Sequence, residues 1–334
     1  MTALLEVRDL HVALDSPQGV VHAVDGVSFA LDAGDTLALV GESGCGKTMT
    51  LRSIVQLLPS GGHVFGSVRF AGQELVGLPE RRLNTLRGAR VGMIFQEPMT
   101  ALNPVMRIGD QIAEGPLAHR GLTGAQAHGL AVELLGKVGI PDPRRRARAY
   151  PHELSGGMRQ RVVIAIAIAC EPQLILCDEP TTALDVTIQD QILRLLAGLA
   201  TELGMAVVFV THDLAVVAQT CQRLCVMYAG QIVEQGPVAR IFAEPHHPYT
   251  LGLLRSVPDI DGPKEELASI PGQPPSLVRP PRGCRFAPRC EFAEDRCRAA
   301  PVPLEELDPE RAVACLNDER VAAEARRHPV LHDA

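Results

Sequence analysis

The chain runs to 334 residues, 46% hydrophobic and 21% charged, the composition of a folded protein of about two domains rather than of a disordered or fibrous one. Lys and Arg number 32 against 39 Asp and Glu, a net charge of −7, and with no Trp and three Tyr the sequence has neither the basic footprint nor the stacking rings of a nucleic-acid binder. The longest apolar run, Val162 to Cys170, is nine residues, far short of the roughly twenty that span a bilayer, so a membrane link is expected only through a partner. No basic stretch leads into an apolar one at the N-terminus, and the nine Cys are expected as reduced cytosolic thiols used for packing, chemistry or metal.

In chain order, residues 1 to about 95 alternate β-like runs with turn residues: Leu4 to Leu14, Gly26 to Leu31, Thr36 to Val40, Ser67 to Phe70 and Val91 to Phe95, with one helix beginning near Lys47. From about 97 to 160 the period becomes helical, in IGDQIAEGPLAHR and GAQAHGLAVELLGKVGI, and is broken by Pro141 and Pro143. A helical insertion is the simplest account. Val162 to Ala169 then predicts a buried helix, and Leu174 to Cys177 and Ala206 to Val210 predict short apolar strands of a parallel sheet covered on both faces. Seven prolines between Pro258 and Pro281 exclude a regular helix or central strand and predict a connector to a small terminal unit holding four of the Cys.

The strongest chemical motif is Gly41-Glu42-Ser43-Gly44-Cys45-Gly46-Lys47-Thr48, between the apolar run Thr36 to Val40 and the helical segment Met49 to Leu58. Strand, glycine-rich loop and helix are the context of a phosphate-binding loop: backbone N–H groups and a helix N-terminus converge on phosphate oxygens, Lys47 reaches the β and γ phosphates, and the Thr48 hydroxyl can ligate Mg²⁺. Asp178 and Glu179 end the run Leu174 to Cys177. There Asp178 would hold the metal through water, and Glu179 would orient or deprotonate the attacking water.

Leu154-Ser155-Gly156-Gly157-Met158-Arg159-Gln160, shortly before Asp178, resembles the signature loop of ATP-binding cassette (ABC) ATPases. Physically it is a second anion site, with the Ser155 hydroxyl and glycine amides opening a helix near Met158. The resemblance implies that this loop completes the nucleotide site of another subunit. Gln96 matches the Q-loop residue that touches Mg²⁺ or the attacking water, Ala183-Leu184-Asp185 the D-loop, and His212 the switch histidine at the γ-phosphate. The implied fold is α/β: a RecA-like P-loop NTPase core with an antiparallel β subdomain and a helical subdomain at about 97–160, together residues 1–240. Where the family stacks adenine on an aromatic ring this sequence has Leu14, with His22 nearby, and the purine contact is left unassigned.

Pro245-His246-His247-Pro248-Tyr249-Thr250, Pro271-Gly272-Gln273-Pro274-Pro275 and Gly283-Cys284-Arg285-Phe286-Ala287-Pro288-Arg289-Cys290 resemble the C-terminal extension of oligopeptide/dipeptide permease ATPases, assigned to 241–334. His246 and His247 read as part of a rigid turn rather than as metal ligands. Cys284, Cys290, Cys297 and Cys315 are separated by five, six and seventeen residues, without the short pair of a zinc ribbon. Four thiolates suit a [4Fe–4S] cube, and the resemblance implies one, ahead of structural Zn²⁺ or unligated thiols. Cys45 fits the phosphate loop as a small residue, and Cys170, Cys177, Cys221 and Cys225 are expected as buried hydrophobes. The run Arg144 to Arg148 reads as a solvated face.

The expected function is thus the ATP- and Mg²⁺-dependent motor of an importer of di- or oligopeptides, peripheral at the cytoplasmic face of the cell membrane. Its expected partners are a second ABC ATPase subunit (another gene product or a second copy), two transmembrane permease subunits and an extracytoplasmic substrate-binding protein, with no nucleic acid. A nickel, glutathione or other small-solute importer is the near alternative. A soluble ABC ATPase of DNA repair or translation is the distant one, disfavoured because neither a long coiled-coil insertion nor a second cassette is present.

Overall fold

A computed structural model describes residues 3–182, 184–256 and 269–327. Its strands are β1 (Leu5–Ser16), β2 (Gly19–Leu31), β3 (Thr36–Val40), β4 (Gly62–Phe70), β5 (Gln73–Glu74), β6 (Val91–Ile94), β7 (Leu174–Asp178), β8 (Ala206–Thr211), β9 (Arg223–Tyr228), β10 (Gln231–Pro237), β11 (Glu305–Asp308) and β12 (Arg311–Val313). The chain divides into two compact units, one of Met1–Leu4, Leu31–Thr36 and Gly77–Phe209, the other of Leu5–Ala30, Leu37–Val76 and Val210–Ala334.

The first unit carries strands in the order β8, β7, β6, with β6 and β7 parallel from Val91 opposite Leu174 to Ile94 opposite Cys177. Every residue of β7 is buried, as a continuous Leu-Ile-Leu-Cys run requires when both faces of a strand are covered. Around these strands lie the helices Ile108–His119, Gly124–Lys137, Gly156–Ile168 and Val186–Leu203. Thr123 and Gln126 form a capping box at the start of the second of these, which accounts for its onset. Pro143 opens the short helix Pro143–Arg146, where its missing N–H costs nothing, and Arg144, Arg145 and Arg148 of that stretch are exposed as expected.

The second unit holds a four-stranded sheet, order β2-β1-β4-β5, with β1 and β4 antiparallel from Leu5 opposite Phe70 to Leu14 opposite Gly62. It also holds the strands β11-β12-β10-β9-β3 in that order, with β3 and β9 parallel and the others antiparallel. The expected strand Gly26 to Leu31 is the second half of the longer β2. The helix that begins at Lys47 ends at Ile54, short of Leu58, because Gln56 turns to a φ of 53° and Pro59 follows. Of the expected Pro-rich connector, 258–268 lie outside the described residues, and 269–281 contain neither helix nor strand.

The C-terminal part of this unit is organised by one carboxylate. Glu234 of β10 is fully buried and accepts hydrogen bonds from the backbone N–H groups of His246 (2.9 Å) and His247 (3.0 Å) and from Arg311 Nη2 (3.2 Å). His247 Nδ1 in turn accepts from the Tyr249 N–H at 3.0 Å and caps the helix Pro248–Arg255. Burial lowers the His247 pKa to about 3, so the ring is neutral. The adjacent histidines build a rigid turn, as the sequence suggested.

Candidate nucleotide site

Gly41 to Thr48 connect β3 to the helix Lys47–Ile54. Gly46 is the residue before that helix, with φ 108° and no side-chain cap, so the helix starts with its first N–H groups uncapped by any side chain of the cap residue. A Cβ at Gly46 would run into the carbonyl oxygen of Ala23, so sterics and backbone angle both demand glycine. Lys47 is 5% exposed, and its Nζ donates to the carbonyl oxygens of Gly41 (2.7 Å) and Glu42 (2.9 Å), folding the side chain back over the loop. Cys45 is buried beneath it, Sγ 3.8 Å from Nζ, and its thiol is pushed up by burial against the opposing pull of Lys47. Ser43 and Gly44 form the exposed tip. The tip is open and the base is filled.

Residues far along the chain support this loop from behind within the same unit. The Tyr249 hydroxyl accepts from the Glu42 N–H at 2.7 Å, and Arg289 grips the Glu42 carboxylate with two donors, at 2.8 and 2.9 Å. Tyr249, Tyr228 and Phe286 pack together with ring centroids 4.6 to 5.4 Å apart. Sequence reasoning missed Arg289, Tyr249 and Tyr228; the only available signal was that Tyr249 and Arg289 sit inside the extension motifs.

In the first unit, Asp178 ends β7 and is 1% exposed. Glu179 follows with a left-handed φ of 46°, and its Oε2 accepts from Gln96 Nε2 at 3.0 Å and from the Thr182 hydroxyl at 2.9 Å. Gln96 lies just past β6, so the parallel pairing of β6 with β7 brings Gln96 and Glu179 to one end of the strands. His212 is exposed directly after β8 in the second unit.

The signature segment forms a second surface of the first unit. Ser155 precedes the helix Gly156–Ile168 and its Oγ accepts from the Met158 N–H at 3.4 Å. Asp185 caps the helix Val186–Leu203 by accepting from the Ile188 N–H at 2.9 Å. Ser155, Gly156, Gly157 and Met158 share an open cavity of about 390 Å³ with Arg161, Leu184, Asp185 and Ile188. Leu154 is buried, Arg159 Nε donates to the Pro151 carbonyl at 2.8 Å, and Gln160 is fully buried. Ala183 lies outside the described residues. Leu14 is partly buried in β1, and the exposed His22 donates its backbone N–H to the Leu277 carbonyl at 2.9 Å.

Comparison with known proteins gives a consistent placement. Residues 24–182 match the ABC transporter family, and residues 233–297 match the oligopeptide/dipeptide transporter C-terminal region. The oligopeptide transport ATP-binding protein OppD of Salmonella typhimurium is 50% identical over 312 residues, 93% of each chain. The protein of the same name from Bacillus subtilis is 51% identical over 296 residues, 88% of this chain and 83% of that one. Among solved structures, the ATP-binding cassette MJ0796, dimeric in a post-hydrolysis state with ADP and Pi, superposes with a TM-score of 0.63 at 28% identity, covering 70% of this chain and 98% of that chain. CbiO1 from Clostridium perfringens gives 0.61 at 26% identity, with 73% and 92% covered. The cassette-type P-loop NTPase fold expected from the sequence is therefore the fold of this chain.

One expectation is overturned. Cys284, Cys290, Cys297 and Cys315 do line one small cavity, of about 20 Å³, yet among the described residues no group of three or more His, Cys, Asp or Glu is placed to hold a metal ion. The similar proteins carry the plain description of ATP-binding transport proteins. The expected iron–sulfur cluster is therefore unsupported, and the described residues give no support to the zinc alternative. Without a ligand, burial pushes Cys290 up to about 11 and Cys315 up to about 12, and raises Cys284, so these side chains sit as protonated thiols. Cys315 Sγ accepts from the Asn317 N–H at 3.4 Å, as a neutral packed thiol can. Cys177, Cys221 and Cys225 are buried as expected, while Cys170 is only partly so.

Proposed function

The chain belongs to the ATP-binding subunits of ABC transporters, in the branch with the oligopeptide/dipeptide C-terminal region, and on that premise we propose that it is the motor of a di- or oligopeptide importer. It is an ATPase coupled to transport. Peptide as the cargo is supported by the names of its relatives, each an oligopeptide transport ATP-binding protein. No helix among the described residues is long and apolar enough to cross a membrane, which fits a subunit held peripherally at the inner face by permease subunits. A second cassette and an extracytoplasmic binding protein complete the proposed assembly; the dimeric state of the MJ0796 neighbour supports the first of these. We read 1–240 as the cassette and 241–334 as the extension; the cassette match at 24–182 lies within the first, and the C-terminal match at 233–297 begins eight residues before the proposed boundary.

The single observation that carries the site assignment is the phosphate loop, with Lys47 folded onto a turn that only glycine can complete at Gly46. In this reading the Lys47 ammonium leaves the carbonyls of Gly41 and Glu42 for the β and γ phosphates, and the loop amides from Ser43 to Thr48 wrap the polyphosphate. Thr48, Gln96 and Asp178 present a hydroxyl, an amide and a carboxylate, the hard oxygen donors that suit Mg²⁺, which would neutralise charge on the phosphates. Glu179, held by Gln96 and Thr182, orients the attacking water or takes its proton, and His212 contacts the γ-phosphate. Leu154 to Gln160, with Ser155 foremost, and Asp185 act toward the nucleotide of a facing cassette. Glu179→Gln in the assembled transporter is expected to keep ATP binding and to lower steady-state hydrolysis at least about 100-fold. Hydrolysis near the unaltered rate would overturn the assignment.

A further inference from the structure

Glu42 occupies the second position of the phosphate loop, where the chemistry of phosphate binding has no use for a carboxylate. An anionic side chain there works against a polyphosphate unless another group neutralises it. Arg289 supplies that group from 247 residues away. Its guanidinium is 5% exposed and has five N–H donors, each of which finds an acceptor. Nε donates to the Pro271 carbonyl at 2.8 Å. Nη1 donates to Glu42 Oε2 at 2.8 Å and to the Tyr228 hydroxyl at 3.3 Å, and Nη2 donates to Glu42 Oε1 at 2.9 Å and to the Ile270 carbonyl at 3.2 Å. The charge lies 5.8 Å from the Tyr228 ring centre and 5.9 Å from that of Phe286. A guanidinium this fully engaged has one geometry, so the carboxylate it grips is fixed as well. The Tyr249 hydroxyl fixes the backbone of the same residue by accepting from the Glu42 N–H.

We propose that Arg289 and Tyr249, residues of the C-terminal extension, are positioning residues for ATP: they neutralise and immobilise Glu42 so that the phosphate loop is held ready for the nucleotide. The inference rests on the reading of Gly41 to Thr48 as the nucleotide site. It gives the extension a direct role in ATP affinity. Without Arg289, Glu42 keeps a negative charge, 27% exposed at the side chain, beside the incoming phosphates, and the loop loses its bidentate anchor. ATP affinity should fall while the chemistry at Glu179, in a separate unit of the chain, keeps its rate once ATP is bound.

The test uses the full chain for ATP binding and the assembled transporter for hydrolysis. Arg289→Gln should raise the KM for ATP about tenfold, with kcat at saturating ATP within about twofold of the unaltered protein. Arg289→Lys, which keeps the charge but cannot form the fork, should raise KM about threefold, and Tyr249→Phe about two- to threefold. In a Glu42→Gln background, adding Arg289→Gln should change KM by less than about twofold, because the charge to be neutralised is gone. If Arg289→Gln leaves KM unchanged while Lys47→Ala abolishes ATP binding, the positioning role is overturned and the nucleotide site stands. If Lys47→Ala binds ATP as tightly as the unaltered chain, the nucleotide-site reading itself falls. An Arg289→Gln effect that is as large with Glu42→Gln as without it overturns the route through Glu42. Should Arg289→Gln not fold, Arg289→Lys and Tyr249→Phe decide by the same KM measurement.

Discussion

Two helix starts in this molecule offer themselves to anions, and they are built in opposite ways. The phosphate loop enters its helix through a left-handed Gly46 with no side-chain cap, and its underside is filled by Ala23, Tyr249 and the Arg289–Glu42 pair. The signature loop enters its helix through Ser155 in extended conformation, caps itself with that hydroxyl, and opens onto a cavity of about 390 Å³. One is rigid because its own chain supports it on every side but the tip. The other satisfies its own helix start locally and leaves its outer face open. Rigidity should therefore be a property of the first and tolerance a property of the second.

Gly46→Ala should break the first loop outright. The new Cβ meets a backbone oxygen and the residue must hold φ 108°, so a loss of roughly 3 kcal/mol or more of stability is expected, with ATP binding lost. Thermal unfolding and nucleotide titration measure both. Next in size is the support beneath that loop, where His247 caps the helix that presents Tyr249. His247 is neutral in the folded chain, with its pKa lowered to about 3, and takes up a proton near its ordinary value of 6.5 when unfolded. The unfolded state therefore binds the extra proton between these values, and stability falls as pH drops through that window by about 1.4 kcal/mol per pH unit from this group. His247→Asn replaces the capping Nδ1 with an amide oxygen and removes the titration. Denaturant melts at pH 6.5 and 4.5 should show a shallower loss for the variant, and equal losses would remove His247 from the account.

On the other side of the comparison the changes should be small for folding. Ser155→Ala should cost about 1 kcal/mol as a lost cap, while hydrolysis by the assembled transporter falls much further than stability alone explains. Gly157→Ala brings its Cβ to 2.9 Å from the Cγ2 methyl of Ile188, a side-chain rather than a backbone atom, at a helical position with no left-handed φ, so its cost in thermal unfolding should be about 1–2 kcal/mol, below that of Gly46→Ala. A Gly157→Ala variant as unstable as Gly46→Ala would erase the distinction drawn between the two loops.

Much of the site was legible from residues because each motif answers a local demand. Gly46 is required by a backbone angle and a close approach, Ser155 and Asp185 by helix starts, and the apolar run before Asp178 by a strand covered on both faces. The helix Val186–Leu203 and the strands β10 to β12 were not read. The short strands owe their existence to pairing partners remote in sequence, such as Glu234 opposite Val313, rather than to their own pattern. The cysteines show the reverse error. Their number and the family resemblance suggested a cluster, but whether side chains converge on one ion depends on the fold, and among the described residues no such group is formed.

The sequence by itself determined the chemistry at the phosphate loop, the carboxylates at the end of β7 and the family to which the chain belongs, because these depend on residue types at short, fixed spacing. Only the tertiary structure decided that Arg289 and Tyr249 close over Glu42, that Glu234 ties His246, His247 and Arg311 together, and that the four tail cysteines line one small cavity. Contacts between residues dozens to hundreds of positions apart, and the burial that sets a group's charge, exist only once the chain has folded.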